Sequence, residues 1–397
     1  MSMMTIATVL LFLLAVPAVL ACAYLLLLTL LSARLPVQDP SKRDIKFDVI
    51  VPSHNESSII AHTVASLKKI DWPADRHRII VVADNCTDNT AQIARDAGAV
   101  VLERHDTTQR GKGYALKFVF KESADLGWAD AVVVVDADVE VSTNLLSAIA
   151  ARLERGAQAV QVHYGILNPN VSWRTRLITI AKAAFHSVRS RARERLGFSC
   201  GIRGNGWCVT HQLLRQVPYH AFSLTEDVEY GIELGIAGYR VHYAEEAHSD
   251  AEMVSGEQAA RKQRQRWEDG RFQLIRNKTV PLLAQAIKQP SRICLDLALD
   301  LIVLPLSYVV INVLLLSVFA AGFAWFMPVT IGWLWLAFAC FGVLILYVFR
   351  GWQLSGTGTR GLIDFMHAPG FLLWKLVLML SRRESKEWVK TEREKRD

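Results

Sequence analysis

Two stretches of this chain are almost free of charge, and they bracket everything else. From Ile6 to Leu31 no residue is charged, and from Leu295 to Tyr347 only Asp296 and Asp300 are, both near the start. A helix of ~20 apolar residues crosses a bilayer, and in hydrocarbon a helix satisfies its own backbone polar groups. The first stretch predicts one spanning helix. The second breaks at Met327-Pro328 and predicts two, about 299–325 and 329–349. Val19-Leu20-Ala21-Cys22 would suit a cleaved lipoprotein signal, but no Lys or Arg precedes Ile6 and the apolar run continues to Leu31. A retained anchor is therefore expected over 1–33.

Charge sets the orientation. Arg34, Lys42 and Arg43 follow the first span and Arg350 follows the last, so the positive-inside rule puts the polar middle on the cytoplasmic side. The expected protein is a multi-pass protein of the inner membrane with three spans. Phe365 to Leu380 is apolar but interrupted by Pro369 and Lys375, which suits an interfacial helix over about 362–381 and a basic cytoplasmic tail. A net charge of +7 fits contact with anionic membrane lipids. No basic-aromatic module accompanies it, so no nucleic-acid partner is expected. The six cysteines form no CxxC pair and are expected to be free thiols.

Between the apolar zones, 34–46 reads as a linker and 47–278 as one α/β domain, with 279–397 as the C-terminal membrane region. Apolar β-rich runs at Phe47–Pro52, Arg78–Ala83, Ala99–Glu103, Ala131–Val135 and Ala159–Val162 alternate with helical patterns. Such alternation predicts a parallel sheet covered on both faces, with ligands beyond the carboxyl ends of the strands. The polar residues Glu56, Asp84 and Asp136-Ala137-Asp138 fall at those ends. The segment Trp173 to Arg195 holds seven Lys or Arg against Glu194. It reads either as a solvated helix face or as a surface for lipid phosphate or an anionic acceptor.

Asp136 and Asp138, one residue apart after a buried strand, can reach a divalent ion and a ribose hydroxyl together. Mg2+ or Mn2+ prefers such oxygen ligands and bridges substrate phosphates. The bland alternative is a pair of solvated turn aspartates. Glu56 and Asp84 can recognise uracil and ribose, or cap the helices that follow. Lys112, between Gly111 and Gly113, is either a donor-binding cation or an ordinary helix-entry lysine. Thr225 can cap a helix with Glu226 and Asp227 in its first turn. Alternatively Asp227 takes the proton of an attacking hydroxyl and Glu226 helps orient it. Gln263, Arg266 and Trp267 stand at i, i+3 and i+4, one helix face, fitted to hold a leaving diphosphate and wall an acceptor. His163 and His248 can approach a metal or serve as hydrogen-bonded structural residues.

These residues, with Val51-Pro52-Ser53-His54-Asn55-Glu56, the Asp-Ala-Asp, the Thr-Glu-Asp and Gln263-Arg264-Gln265-Arg266-Trp267, resemble the membrane-bound glycosyltransferase family 2, including the cellulose, chitin and hyaluronan synthases. The resemblance runs from about Val49 to Trp267. It implies a GT-A (Rossmann-like) nucleotide-sugar-binding domain. It also implies an inverting displacement with a divalent metal and usually a UDP-sugar donor. By position Asp138 would be the chief metal ligand, Asp136 would touch nucleotide and metal, and Asp227 would be the base. Gln263, Arg266 and Trp267 would line diphosphate and acceptor. The histidine of Val160-Gln161-Val162-His163-Tyr164 is shifted by one from its place in cellulose synthases. Three spans are few for a polymer channel, so single transfer to a polyprenyl-linked acceptor in glycan assembly is expected. A processive synthase is the alternative, and an inactive membrane scaffold a more distant one.

Overall fold

The computed structural model describes residues 2–253, 257–367 and 369–370. Most of the expected interfacial helix and the basic tail lie outside them. The chain forms two compact units.

The larger unit, Arg34–Thr175 with Arg193–Ala298, is built on an eight-stranded sheet of order β3-β2-β1-β4-β7-β6-β8-β5. The strands are β1 (Phe47–Ser53), β2 (His77–Asp84), β3 (Val100–Arg104), β4 (Ala131–Val134), β5 (Val139–Val141), β6 (Ala159–Ile166), β7 (Trp207–Thr210) and β8 (Val241–Ala251). β1 pairs in parallel with β2 and β4, as the alternating pattern requires. The wholly parallel sheet expected from sequence is not found, because β7 runs antiparallel between β4 and β6 and β5 antiparallel to β8.

Side chains along a strand point to opposite faces, so the apolar runs feed two cores. Val49, Val51, Val133 and Val135 enter one cluster, on one face. Ile50, Ile80, Val132 and Val134 enter the other. Each fully buried Val or Ile contributes roughly 1.5–3 kcal/mol, which is why strands buried on both faces read as unbroken hydrophobic runs. β1, β2 and β4 thus end together, and their carboxyl ends carry the polar residues singled out above. Glu226–Ile236, between β7 and β8, and Glu257–Lys288, after β8, form helices.

The smaller unit gathers the first 33 residues, Arg176–Ala192 and the described residues from Leu299 onward. Among the described residues three helices are long and apolar enough to cross a membrane: Met3–Leu30, Leu306–Phe326 and Pro328–Ser355. The second begins later than 299 because Pro305 sits at its N-cap and Arg292–Ile302 is a separate helix.

The basic segment is neither a solvated face nor a free phosphate surface at its most buried positions. Within the smaller unit Arg189 is buried, pairs with Asp300 at 2.8 Å and donates from Nε to the Tyr347 hydroxyl at 3.0 Å. That hydroxyl donates to the Ala184 carbonyl at 2.8 Å, inside a π-helical turn, Ala183–Val188. Within the larger unit the buried Arg193 pairs with Asp296 at 2.8 Å. The two acids that interrupt the second apolar zone are the counter-ions of two arginines more than a hundred residues earlier.

Candidate active site

Three segments converge on one ammonium group. Lys112 opens the helix Lys112–Leu126. Its Nζ lies 2.6 Å from Asp136 Oδ1 and 3.5 Å from Glu226 Oε1, and donates to the Gly204 carbonyl at 3.2 Å. The strand-end Asp-Ala-Asp, the Thr-Glu-Asp and the glycine-containing loop 201–206 therefore meet here. Gly111 (φ +116°) and Gly113 allow it: a Cβ on Gly113 would stand 2.4 Å from the Ala221 carbonyl oxygen.

The loop 201–206 is shaped by glycines at φ +73°, +105° and +67° (Gly201, Gly204, Gly206). At Gly204 a Cβ would stand 3.1 Å from the Tyr164 ring and 3.7 Å from Asp227 Oδ2. Gln161 on β6 clamps the loop. Its amide nitrogen donates to the Asn205 carbonyl at 2.8 Å, and its oxygen accepts from the Arg203 N–H at 2.8 Å.

Burial first, then the neighbouring Glu226, pushes the Asp227 carboxyl up to about 7, with Lys112 pulling the other way. For Lys112 burial alone would favour loss of its proton. The carboxylates of Asp136, Glu226 and Asp227 outweigh it and hold the ammonium well above its ordinary range. Tyr164 feels Asp136, Asp138, Lys112 and Asp227 together; burial and the two DxD carboxylates hold its phenol protonated. The capping expected of Thr225 is not made: it stands at the N-cap without a side-chain hydrogen bond.

The helix Glu257–Lys288 carries Gln263, Arg266 and Trp267 on one face, and Gly270 continues that stripe. A Cβ on Gly270 would stand 2.6 Å from Thr225 Cγ2, so this helix packs closely onto the N-cap of the Glu226 helix. Lys278 ties the two further, 3.1 Å from Glu233 and 3.4 Å from Glu229.

Asp84 and Glu56 lie apart from that cluster, at the ends of β2 and β1. Asp84 is buried and accepts from Arg104 Nη1 at 2.6 Å and from Asn85 Nδ2 at 3.1 Å; it caps no helix. The Glu56 backbone N–H donates to Thr90 Oγ1 at 2.8 Å. Register shifts between Val162 and His163, a bulge of the kind that re-aims a side chain. His163 bonds the Tyr243 hydroxyl at 3.0 Å, with the His248 ring edge-on at 5.1 Å. Among the described residues no group of three His, Cys, Asp or Glu is arranged to hold a metal.

The donor set nevertheless suits a hard divalent cation that takes its remaining ligands from substrate oxygens. Asp136, Glu226 and Asp227 gather around a single lysine, and Asp138 joins Asp136 and Asp227 in acting on Tyr164, an excess of negative charge. Buried polar atoms of the chain neighbours Asn205 (Nδ2, next to Gly204) and Thr225 (Oγ1, next to Glu226) make no hydrogen bond, nor does Arg266 Nε on the Gln263 helix. Sequence reasoning missed Gln161, Tyr164 and Gly270. Only Gly270 had a readable signal, its i+7 place on the Gln263 stripe.

A mixed sheet of this order, with an acidic pair at the end of β4 and a second acidic pair opening a helix beside it, is the GT-A arrangement of a glycosyltransferase. Residues 45–270 match the family described as "Glycosyltransferase like family 2", and the chain belongs to that family. It is 29% identical over 232 residues to a beta-monoglucosyldiacylglycerol synthase of Synechocystis sp., covering 57% of this chain and 47% of that protein. It is 26% identical over 262 residues to the probable glycosyltransferase YdaM of Bacillus subtilis, covering 64% and 60%. The chain thus spans about half the length of the curated relatives it matches. Among solved structures, a mannosyltransferase of Pyrobaculum calidifontis in complex with GDP-Man and Mn2+ superposes with a TM-score of 0.48 at 17% identity, over 85% of this chain and 98% of that one.

Proposed function

We propose that this glycosyltransferase moves a sugar, with inversion, from a nucleoside diphosphate donor, a UDP-sugar, to a lipid-linked hydroxyl at the cytoplasmic face of the membrane. The observation that carries it is the meeting of Asp136, Glu226 and Lys112 beside Asp227, whose raised proton affinity suits a general base near neutral pH. The name of the Synechocystis relative, a glycolipid synthase, and the apolar helices support a lipid acceptor.

In this reading Asp227 takes the proton from the acceptor hydroxyl as its oxygen attacks the anomeric carbon. The bond from that carbon to the diphosphate breaks on the opposite face, and its electron pair leaves with the nucleoside diphosphate. Glu226 keeps Lys112 and Asp227 in place. Arg266 offers its unpartnered Nε to the departing diphosphate, and Trp267 walls the acceptor. Asp136 and Asp138 would hold Mg2+ or Mn2+, which would supply Lewis-acid neutralisation of the diphosphate. Glu56 and Asp84 lie toward the nucleoside.

The test is nucleoside diphosphate release by the purified protein in lipid, across a panel of nucleotide sugars, with and without lipid extract and with and without EDTA. Release stimulated by lipid and abolished by EDTA is expected. Long polymer made by the protein alone would overturn single transfer, and release insensitive to EDTA would overturn the metal.

A further inference from the structure

We propose that Lys112 is a built-in counter-cation for Asp136, which keeps the Asp136-Ala137-Asp138 carboxylates from a divalent metal until a nucleoside diphosphate arrives, so that metal and donor are taken up together. The inference rests on the metal-dependent reading above and adds an order of events to it.

The Lys112 ammonium lies 2.6 Å from Asp136 Oδ1 and 3.5 Å from Glu226 Oε1, and donates to the Gly204 carbonyl at 3.2 Å. A phosphate that approaches Lys112 therefore competes with Asp136 for its charge and its N–H donors. Its backbone is fixed between two glycines, one pressed against the Ala221 carbonyl, so the ammonium is held at the carboxylates by design of the loop. Mg2+ and Mn2+ need about six oxygen ligands. Among the described residues no group of three His, Cys, Asp or Glu is placed to hold such an ion without substrate, and Asp136 is already paired with Lys112.

A diphosphate changes both sides of this balance. Its oxygens give Lys112 replacement acceptors, which releases Asp136, and they complete the coordination of a metal that Asp136 and Asp138 then share. A cation within contact distance of a carboxylate also repels an incoming metal. The pair is partly open to water, with 26% and 30% of the side-chain surfaces exposed, so the repulsion is screened but not removed; about a tenfold effect on metal affinity is expected.

The experiment measures Mn2+ binding by calorimetry to the full chain in lipid nanodiscs, with no nucleotide and with UDP. Parent, Lys112→Gln, Asp136→Asn and the double variant are compared, with thermal melts to establish folding and Lys112→Met as a second neutral variant. Parent should bind Mn2+ weakly alone and much more tightly with UDP. Lys112→Gln should bind Mn2+ alone about tenfold tighter, with a smaller gain from UDP, although it loses transfer. In the Asp136→Asn background, Lys112→Gln should change the nucleotide-free Mn2+ affinity much less than it does in the parent, because the paired ligand is gone. A folded Lys112→Gln or Lys112→Met protein whose nucleotide-free Mn2+ affinity is equal to or weaker than the parent's overturns the proposal while leaving the metal reading intact. If no variant and no parent binds Mn2+ even with UDP, the metal reading falls and this proposal with it.

Discussion

The proposed mechanism makes Asp227 a base in a place that resists its ionisation, and that conflict has two measurable consequences. The first is kinetic. With its carboxyl up from 3.8 to about 7, only about a tenth of Asp227 is ionised one pH unit below that value, and kcat/KM should fall about tenfold per unit on the acid side and level off above about pH 8. The second is thermodynamic. A carboxyl whose proton affinity is raised in the folded state binds more protons folded than unfolded between the two values, so stability is lost as pH rises from about 4 to about 7. That displacement corresponds to at most about 4 kcal/mol against the ionised form. Asp227 is only partly buried, which reduces it, and about 1–2 kcal/mol is expected. Asp227→Asn, fixed neutral, should therefore melt higher than the parent near pH 8 and nearly with it near pH 5, while transfer drops by about 10²–10⁴-fold. The assays are nucleoside diphosphate release against pH and thermal melts of both proteins at the two pH values. A flat kcat/KM profile between pH 6 and 8, or an Asp227→Asn protein that transfers as well as the parent, would refute the assignment of the base.

If Arg266 holds the departing diphosphate as proposed, Arg266→Ala should lower kcat by about 10²–10³-fold with little change in melting temperature; an effect confined to stability would contradict that. Gly204→Ala should lose activity out of proportion to stability, because a Cβ at φ +105° stands 3.1 Å from Tyr164 and near Asp227; steady-state kinetics beside a melt checks this. Gly270→Val should do the same by pushing the Gln263 helix off Thr225, whose Cγ2 would lie 2.6 Å from the first added carbon. Asp300→Ala leaves Arg189 buried without its counter-ion and should destabilise by about 3–5 kcal/mol, read as loss of folded protein in detergent melts, with Asp300→Glu recovering part of it.

What could be read from the sequence divides along distance in the chain. Val132 to Val135 announced a strand buried on both faces because each residue's neighbours on the strand carry the signal, and the acidic pair follows directly. The antiparallel β7 gave no such signal: Trp207–Thr210 is short, and its direction is set by register with Ala131–Val134 and Ala159–Gln161, pairings made across the fold. Lys112 shows the same split within one residue. Its flanking glycines were legible, but the partners that give it a role, Asp136, Glu226 and the Gly204 carbonyl, come from three separate segments.

The arginine-rich segment is the instructive case. Read locally, Arg189 and Arg193 are a charge run, and Asp296 and Asp300 are blemishes in an apolar zone. Each pair is spaced i, i+4, one helix face, and the structure matches Arg189 to Asp300 and Arg193 to Asp296, the first of one with the second of the other. Taking such charges out of water is costly unless they meet, so an acid in an otherwise apolar stretch demands a base elsewhere in the chain. The complementary spacing held that information, but only for a reader who asked what two isolated carboxylates beside a membrane-spanning sequence were for. The same demand governs the candidate active site, where carboxylates outnumber the one lysine among them. There, in the proposed reading, a divalent cation and the donor diphosphate would complete the balance around Asp136, Glu226 and Asp227.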